Sequence, residues 1–337
     1  MSSEIFSTLL LEYEQKKRKA EMDSENRKEE LYHKIPRLRE IENELNTYAI
    51  QSAKMILSGK KASLEDLNKK ASELKFEKEQ ILKKNHIDKN YVQPKYECPL
   101  CKDTGYVQDE NHRSIICSCL KQKLLDISYN KSNISNLDKE NFSTFNEAIF
   151  SNKPDPEKYN HIGISPRQNI VMIKNKCMEF VENFDNPECK NLLFTGNTGL
   201  GKTFMTNCIA NELIKRGKNV LYQTAPVLLE TVIDNKMNKY KNSSQDDFYK
   251  NVLEADLLII DDLGTECINS MKLSELFTIL NTRLLNLNNK ITKTIISTNL
   301  NINNIFTNYE ERIGSRIAGY YDIYYFFGDD LRFRQKV

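Results

Sequence analysis

The run Gly196-Asn197-Thr198-Gly199-Leu200-Gly201-Lys202-Thr203 constrains this chain more than any other feature. Only 11 glycines occur in 337 residues, yet Gly196, Gly199 and Gly201 fall inside this one octapeptide. Such clustering marks a backbone that must turn tightly and expose its amides. The octapeptide fits G-x-x-x-x-G-K-T throughout, follows the apolar triplet Leu192-Leu193-Phe194, and precedes a helical stretch reaching about Arg216. In that strand–loop–helix setting the loop N–H groups converge on phosphate oxygens, and the helix N-terminus adds partial positive charge. Lys202 then reaches the β- and γ-phosphates of ATP, and Thr203 offers its hydroxyl to Mg2+.

The chain around this loop alternates. Ser165-Pro166 reads as the N-cap and first position of a helix with Ile173, Cys177, Phe180, Val181 and Phe184 on one face. After the loop come expected strands at 219–223, 257–260 and 294–297, helices running to Glu254, over 273–287 and to Ile317, and a last strand near 323–327. Short apolar runs separated by helices imply strands buried on both faces of a mostly parallel sheet. The aromatic run Tyr320-Tyr321-Asp322-Ile323-Tyr324-Tyr325-Phe326-Phe327 is expected as the last strand, covered on both faces. The fold class is therefore α/β, a doubly wound P-loop domain.

Further chemistry sits at the expected strand ends. Leu257-Leu258-Ile259-Ile260-Asp261-Asp262 delivers two carboxylates to the edge of the sheet where the glycine loop lies. Asp261 is the candidate Mg2+ carboxylate, and Asp262 is placed to orient or deprotonate a water. Asn299, after Thr298, could hold that water against the γ-phosphate. Glu311-Arg312-Ile313-Gly314-Ser315-Arg316 sets Arg312 and Arg316 on one helix face, where an arginine could complete a neighbouring subunit's site.

A second constellation is Cys98-x2-Cys101-x15-Cys117-x-Cys119. Four thiolates on two short knuckles can close a tetrahedral Zn2+ site, with every position filled by protein. His112 lies between the pairs and could replace a cysteine of the tight C-x-C pair. Cys177, Cys189, Cys208 and Cys267 stand alone and read as core or surface residues.

Residues 1–90 differ in kind: they hold 19 Lys or Arg, 17 Asp or Glu, and one glycine, Gly59. Their apolar residues keep alternating steps of three and four, through Leu38, Ile41, Leu45, Tyr48, Ser52 and Met55, and again through Leu64, Leu67, Ala71, Leu74, Lys78 and Ile81. This is the narrow stripe of helices that pack on one another or on a partner. Pro36 and Ser58-Gly59 divide the region into about three helices, the last capped by Ser63. The expected domains are a helical region over 1–92, a zinc-binding module over 93–125, a linker over 126–160 and the ATPase domain over 161–337. A net charge of +2 argues against a polybasic nucleic-acid coat. No apolar run is long enough to cross a membrane and the N-terminus does not resemble a secretory signal, so a reducing cytoplasmic setting is expected.

Taken together, GNTGLGKT, LLIIDDLG, STN and ERIGSR resemble, in that order, the AAA+ ATPases of the bacterial helicase-loader group (DnaC/DnaI type), with the transposition ATPase IstB as a close relative. The phrase CPLCKDTGYV is similar to the zinc-binding part of DnaI-type N-terminal domains. The resemblance implies Asn299 as sensor 1 and Arg316 as a trans-acting arginine finger, with Arg312 beside it. It also implies a hexameric replicative DNA helicase as partner, single-stranded DNA, and self-association through the AAA+ domain. Two departures stand out. Asp262 occupies a position where most AAA+ proteins carry Glu, so Glu266 could share the role. The short tail after the last strand leaves no room for a C-terminal helical lid, which implies slow turnover by the isolated protein. Arg332 and Arg334 in the tail could contact nucleotide or a neighbour, and residues 236–241 (KMNKYK) are the nearest candidate for a DNA contact. A small-molecule P-loop kinase would need a lid and acceptor site, and a non-hydrolysing coiled-coil adaptor would use only the helical region.

Overall fold

Alternation of side chains along five parallel strands organises the larger part of the molecule. The computed structural model describes residues 3–57, 64–127, 139–159, 162–237, 246–285 and 290–336. It divides into a unit over Ser7–Ile115 and a unit formed by Ile116–Val337 with Met1–Phe6.

The first unit carries α1 (Ser3–Lys34), α2 (Pro36–Leu57) and α3 (Leu64–Lys84), followed by a hairpin of β1 (Tyr106–Gln108) and β2 (Ser114–Ile116). Pro36 stands at the first position of α2, where its missing N–H costs nothing. The expected stripe is visible in burial: Leu38 and Ile41 are buried, and Leu45, Tyr48, Ser52 and Met55 are half-buried. Leu31, Tyr32, Leu38 and Leu82 form a small core where the three helices meet. Charged pairs surround it, with Arg37 forked onto Glu77 at 2.7 and 3.0 Å and Lys78 on Glu42 at 2.7 Å. The Ser58-Gly59 break and the Ser63 cap lie outside the described residues.

The second unit begins with α4 (Ser118–Leu125) and continues through a 3-10 turn at Glu147–Ile149 into α5 (Pro166–Glu182). Ser165 caps α5 in a full capping box with Gln168. The chain then runs β3 (Asn191–Gly196), α6 (Lys202–Lys215), β4 (Val220–Thr224), α7 (Ala225–Met237), α8 (Asp246–Glu254), β5 (Leu257–Leu263), α9 (Ser270–Leu284), β6 (Lys293–Thr298), α10 (Ile302–Asn308), α11 (Glu310–Tyr320) and β7 (Tyr321–Phe326). The five strands are parallel in the order β4-β5-β6-β3-β7. Leu192, Phe194, Tyr222, Ile259 and Ile295 point to one face, into a core shared with α5 and α6. Leu193, Leu221, Leu258, Ile260 and Ile296 point to the other, packed on α7, α8, α9 and α11. Two cores on two faces make the doubly wound α/β architecture, as the unbroken apolar runs imply.

The structure corrects two expectations. The aromatic run does form β7, but β7 is the sheet edge, and Ile323 and Tyr325 are 41% and 40% exposed, so it is not covered on both faces. Helix α9 starts three residues early because Asn269 caps it through Lys272 N at 2.8 Å; residues 286–287 of the expected helix lie outside the described residues. One buried cation went unread in the sequence. Arg283, 2% exposed, donates to the carbonyls of Val252, Leu253, Ala255 and Lys293 and to Thr294 Oγ1, tying α8, α9 and β6 together. Among the described residues no helix is long and apolar enough to cross a membrane.

Candidate functional site

Parallel strands bring their carboxyl ends to one edge of the sheet, and there β3 runs into the glycine loop. Gly196 has φ 140°, and a Cβ on it would lie 2.1 Å from the Phe326 carbonyl oxygen of β7. Gly199 has φ 74°, and a Cβ there would collide with the Asp330 carboxylate at 1.9 Å. Only glycine fits both places, which explains the spending of scarce glycines on this loop. Lys202 opens α6, is 7% exposed, and donates to the carbonyls of Gly196 and Asn197, both at 2.7 Å. Burial lowers its pKa, against the carboxylates of Asp262 and Asp261, while the Arg332 charge adds to the lowering.

Asp261, at the end of β5, is 4% exposed and has its oxygens divided among four donors. Thr203 Oγ1 donates to Oδ2 at 3.2 Å and the Tyr222 phenol to the same oxygen at 2.5 Å. Ser297 Oγ and the Asp262 N–H, the latter at 3.0 Å, donate to Oδ1. Thr203 hydroxyl and Asp261 carboxylate are hard oxygen donors at a helix N-terminus, a set that would suit Mg2+. Burial and the Asp261 charge drive the Tyr222 phenol pKa far up, so it stays a donor.

The next residue has a different environment. β5 bulges between Ile260 and Leu263, and Asp262 takes φ 55°, which turns its side chain out of the strand into solvent. Although exposed, its carboxyl is held above the usual carboxylate range by desolvation at the sheet edge and by Asp261, with Lys202 opposing. Glu266 points the other way: it is buried, accepts from Tyr309 OH, and accepts from Gly264 N at 2.9 Å. Asn299 is exposed just past β6, between the ends of β5 and β3. Arg316 on α11 donates to Asn281 Oδ1 at 2.8 Å and to the Arg312 carbonyl at 3.2 Å, and it stacks on Phe277 of α9 at 4.4 Å. Arg312 lies over the same ring at 4.8 Å and pairs with Glu310 at 2.7 Å.

Two features of the site escaped sequence reasoning. Beside Gly201 a cavity of about 300 Å3 is lined by Phe145, Ile149, Phe150, Ile170, Phe204 and Leu331. Its apolar, aromatic walls suit a planar base attached to a phosphate held by the loop. The signal was present as isolated aromatics in a polar stretch that reads as linker. The tail is the second feature, because Leu331 N donates to Gly199 O at 3.0 Å and Arg332 pairs with Asp330 at 2.5 Å. The Arg334 side chain and residues 238–241 of the KMNKYK run lie outside the described residues. A larger hollow of about 510 Å3, beside Lys176, Glu179 and Asp322, lies at the opposite end of the strands, away from the loop.

The sulfurs of Cys98, Cys101, Cys117 and Cys119 lie within 4.8 Å of one another. The first pair sits on a turn where Lys102, Asp103 and Gly105 all have positive φ, and Lys102 N returns to Cys98 O at 2.9 Å. Asp103, 2% exposed, accepts from the N–H groups of Glu97 and Cys98 at 2.9 and 2.8 Å and braces the turn. Cys117 and Cys119 flank the start of α4, so the C-x-C spacing reaches one centre from a helix N-terminus. Four thiols this close fit a tetrahedral Zn2+, whose Zn–S bonds of about 2.3 Å place sulfurs about 3.8 Å apart. His112 is exposed at the hairpin turn with φ 58° and is outside the group.

Comparison with known proteins agrees with this geometry. Residues 144–311, just under half of the chain, match the family of IstB-like ATP binding proteins. The replicative helicase loader DnaC of Escherichia coli (strain K12) is 32% identical over 92 residues, which cover 27% of this chain and 36% of DnaC. The chromosomal replication initiator protein DnaA of Buchnera aphidicola is 38% identical over 116 residues, 34% of this chain and 24% of DnaA. The chain thus spans about a third of the length of the first of these relatives and less of the second. Among solved structures, a DnaC helicase loader aligns with TM-score 0.44 and 21% identity over 57% of this chain and 99% of that one. The segment 144–311 matches the IstB-like ATP binding family and is similar in part to DnaC, and it lies on an α/β fold with a five-stranded parallel sheet.

Proposed function

We propose that this chain is an ATP-dependent loader of the replicative DNA helicase. Its helical region, residues 1–92, grips the hexameric helicase, and the zinc-bearing segment over 93–125 shapes that region. Its AAA+ domain, with Phe145 and Phe150 packed beside the loop, couples ATP state to self-association and to release of the helicase on single-stranded DNA. The observation that carries this reading is the homology to a helicase loader in a chain whose P-loop hydroxyl already meets a strand-end carboxylate.

The chemistry follows from the residues. The N–H groups of the loop over 196–203 cradle the phosphates, and Lys202 exchanges the Gly196 and Asn197 carbonyls for phosphate oxygens. Thr203 and Asp261 would hold Mg2+, which neutralises phosphate charge when bound. Asp262 takes the proton of the attacking water while the water oxygen bonds to the γ-phosphorus. The bond from that phosphorus to the bridging oxygen breaks, and ADP leaves. Asn299 orients the water, and Arg316 leaves its stacking on Phe277 to reach a neighbouring subunit's nucleotide. The base occupies the cavity between Phe145, Phe150 and Leu331.

Weighing the complex formed with the host replicative helicase, with and without ATP, tests the reading. A defined assembly that responds to ATP supports it. The family match also favours a second reading, an IstB-like helper ATPase serving a transposase. No assembly with helicase, together with intact ATP turnover, would select that reading. Assembly without any turnover would select the coiled-coil adaptor.

A further inference from the structure

We infer that Tyr222 is a positioning residue for Mg2+ at this site, its buried phenol locking the Asp261 carboxylate in the orientation that faces Thr203. The inference rests on the ATP and Mg2+ reading above and adds to it a residue that no part of the phosphate loop supplies. In the β4–β5 register Tyr222 pairs with Ile259 and Thr224 with Asp261. Tyr222 is therefore the diagonal neighbour of Asp261 on the same face of the sheet. From that position the phenol reaches across to Asp261 Oδ2 at 2.5 Å.

The donors on Asp261 make the role specific. A carboxylate has about four lone-pair sites. Ser297 Oγ and the Asp262 N–H occupy Oδ1, and the Tyr222 hydroxyl shares Oδ2 with Thr203. Thr203 faces the metal position, so its hydroxyl is committed to two tasks. Tyr222, 2% exposed in the α5–α6 core, has a ring that packing holds still. It is the side chain able to fix Oδ2 independently of the loop. A Phe fills the same space without the hydroxyl, so Tyr222→Phe removes the bond to Asp261 Oδ2. Groups that orient a metal ligand in this way set metal affinity by about 10- to 100-fold.

The test measures binding of a fluorescent ATP analogue to the full chain during Mg2+ titration, with a parallel arm in EDTA. For Tyr222→Phe, the Mg2+ concentration giving half-maximal enhancement rises about 10- to 100-fold, while binding in EDTA and the unfolding temperature stay as in the unmodified protein. Superimposable Mg2+ curves overturn the inference. So does a variant that binds more weakly by the same factor in both arms, because that is the mark of a merely structural tyrosine. If the unmodified protein shows no Mg2+ enhancement, the ATP and Mg2+ reading itself falls, an outcome visible without the variant.

Discussion

The two units of this molecule hold themselves together by different means. In the α/β unit every residue of β3 and β6 is buried, and each sheet face carries its own apolar core. In the helical unit one stripe of each helix leaves water, the shared core reduces to a few side chains around Leu38, and charged pairs cover the remainder. Burial of each large apolar side chain stabilises by about 1.5–3 kcal/mol, so the α/β unit has a reserve that the helical unit lacks. Where a core is that small, a metal held by Cys98 and Cys101 would supply a large share of the stabilisation.

The strongest test removes the metal. Replacing Cys98 and Cys101 with Ser should abolish bound zinc and unfold the N-terminal unit at lower temperature, since structural Zn2+ contributes on the order of 10 kcal/mol. The melting transition of the α/β unit should survive, and metal analysis with calorimetry checks both. If both units melt together, the contrast fails. Next is Asp262→Asn, expected to reduce ATP hydrolysis by about 10²- to 10⁴-fold with nucleotide binding retained. The raised Asp262 pKa gives this a pH signature. The carboxyl takes up its proton at higher pH than an ordinary aspartate, so the rate falls early on acidification, and the variant loses that limb.

Arg283→Met probes the reserve of the α/β unit. It strips donors from four carbonyls, three of them buried, and should cost about 3–5 kcal/mol in denaturant unfolding. Lys202→Ala should weaken ATP binding about 10- to 100-fold by calorimetry, consistent with losing charged hydrogen bonds, and leave helicase binding by the N-terminal unit unchanged. The smallest effect is expected for Arg37→Ala. Its bridge to Glu77 joins side chains 41% and 40% exposed, where solvent and salt screen the pair. A large drop in melting temperature would show that surface charge, not the apolar stripe, holds the helical unit.

Much of this was legible in the chain. The glycine loop, the strand ending at Asp261 and the four clustered cysteines are local patterns, because each depends on residues within one turn or one strand. The heptad steps through Leu38 and Ile41 were legible for the same reason, since 3.6-residue periodicity maps directly onto a helix face. Lone residues were illegible. Asp103 bracing the cysteine turn, Arg283 under α9 and Tyr222 on β4 are single polar side chains whose partners lie across a turn or a strand boundary. The edge position of β7 was hidden too, because an apolar run does not encode which strand will lie outermost.

The sequence alone determined that the chain contains a P-loop, a mostly parallel sheet to present it, a cysteine set able to bind metal and a striped helical region. Tertiary structure alone decided which oxygens of Asp261 face which donors, that Glu266 turns inward to Tyr309 while Asp262 turns out, and that Phe145, Phe150 and Leu331 wall a cavity beside the loop. The reason is one of range. Periodicity and loop chemistry act between near neighbours in the chain, whereas the donors and walls of the site meet only after strands distant in sequence pair side by side.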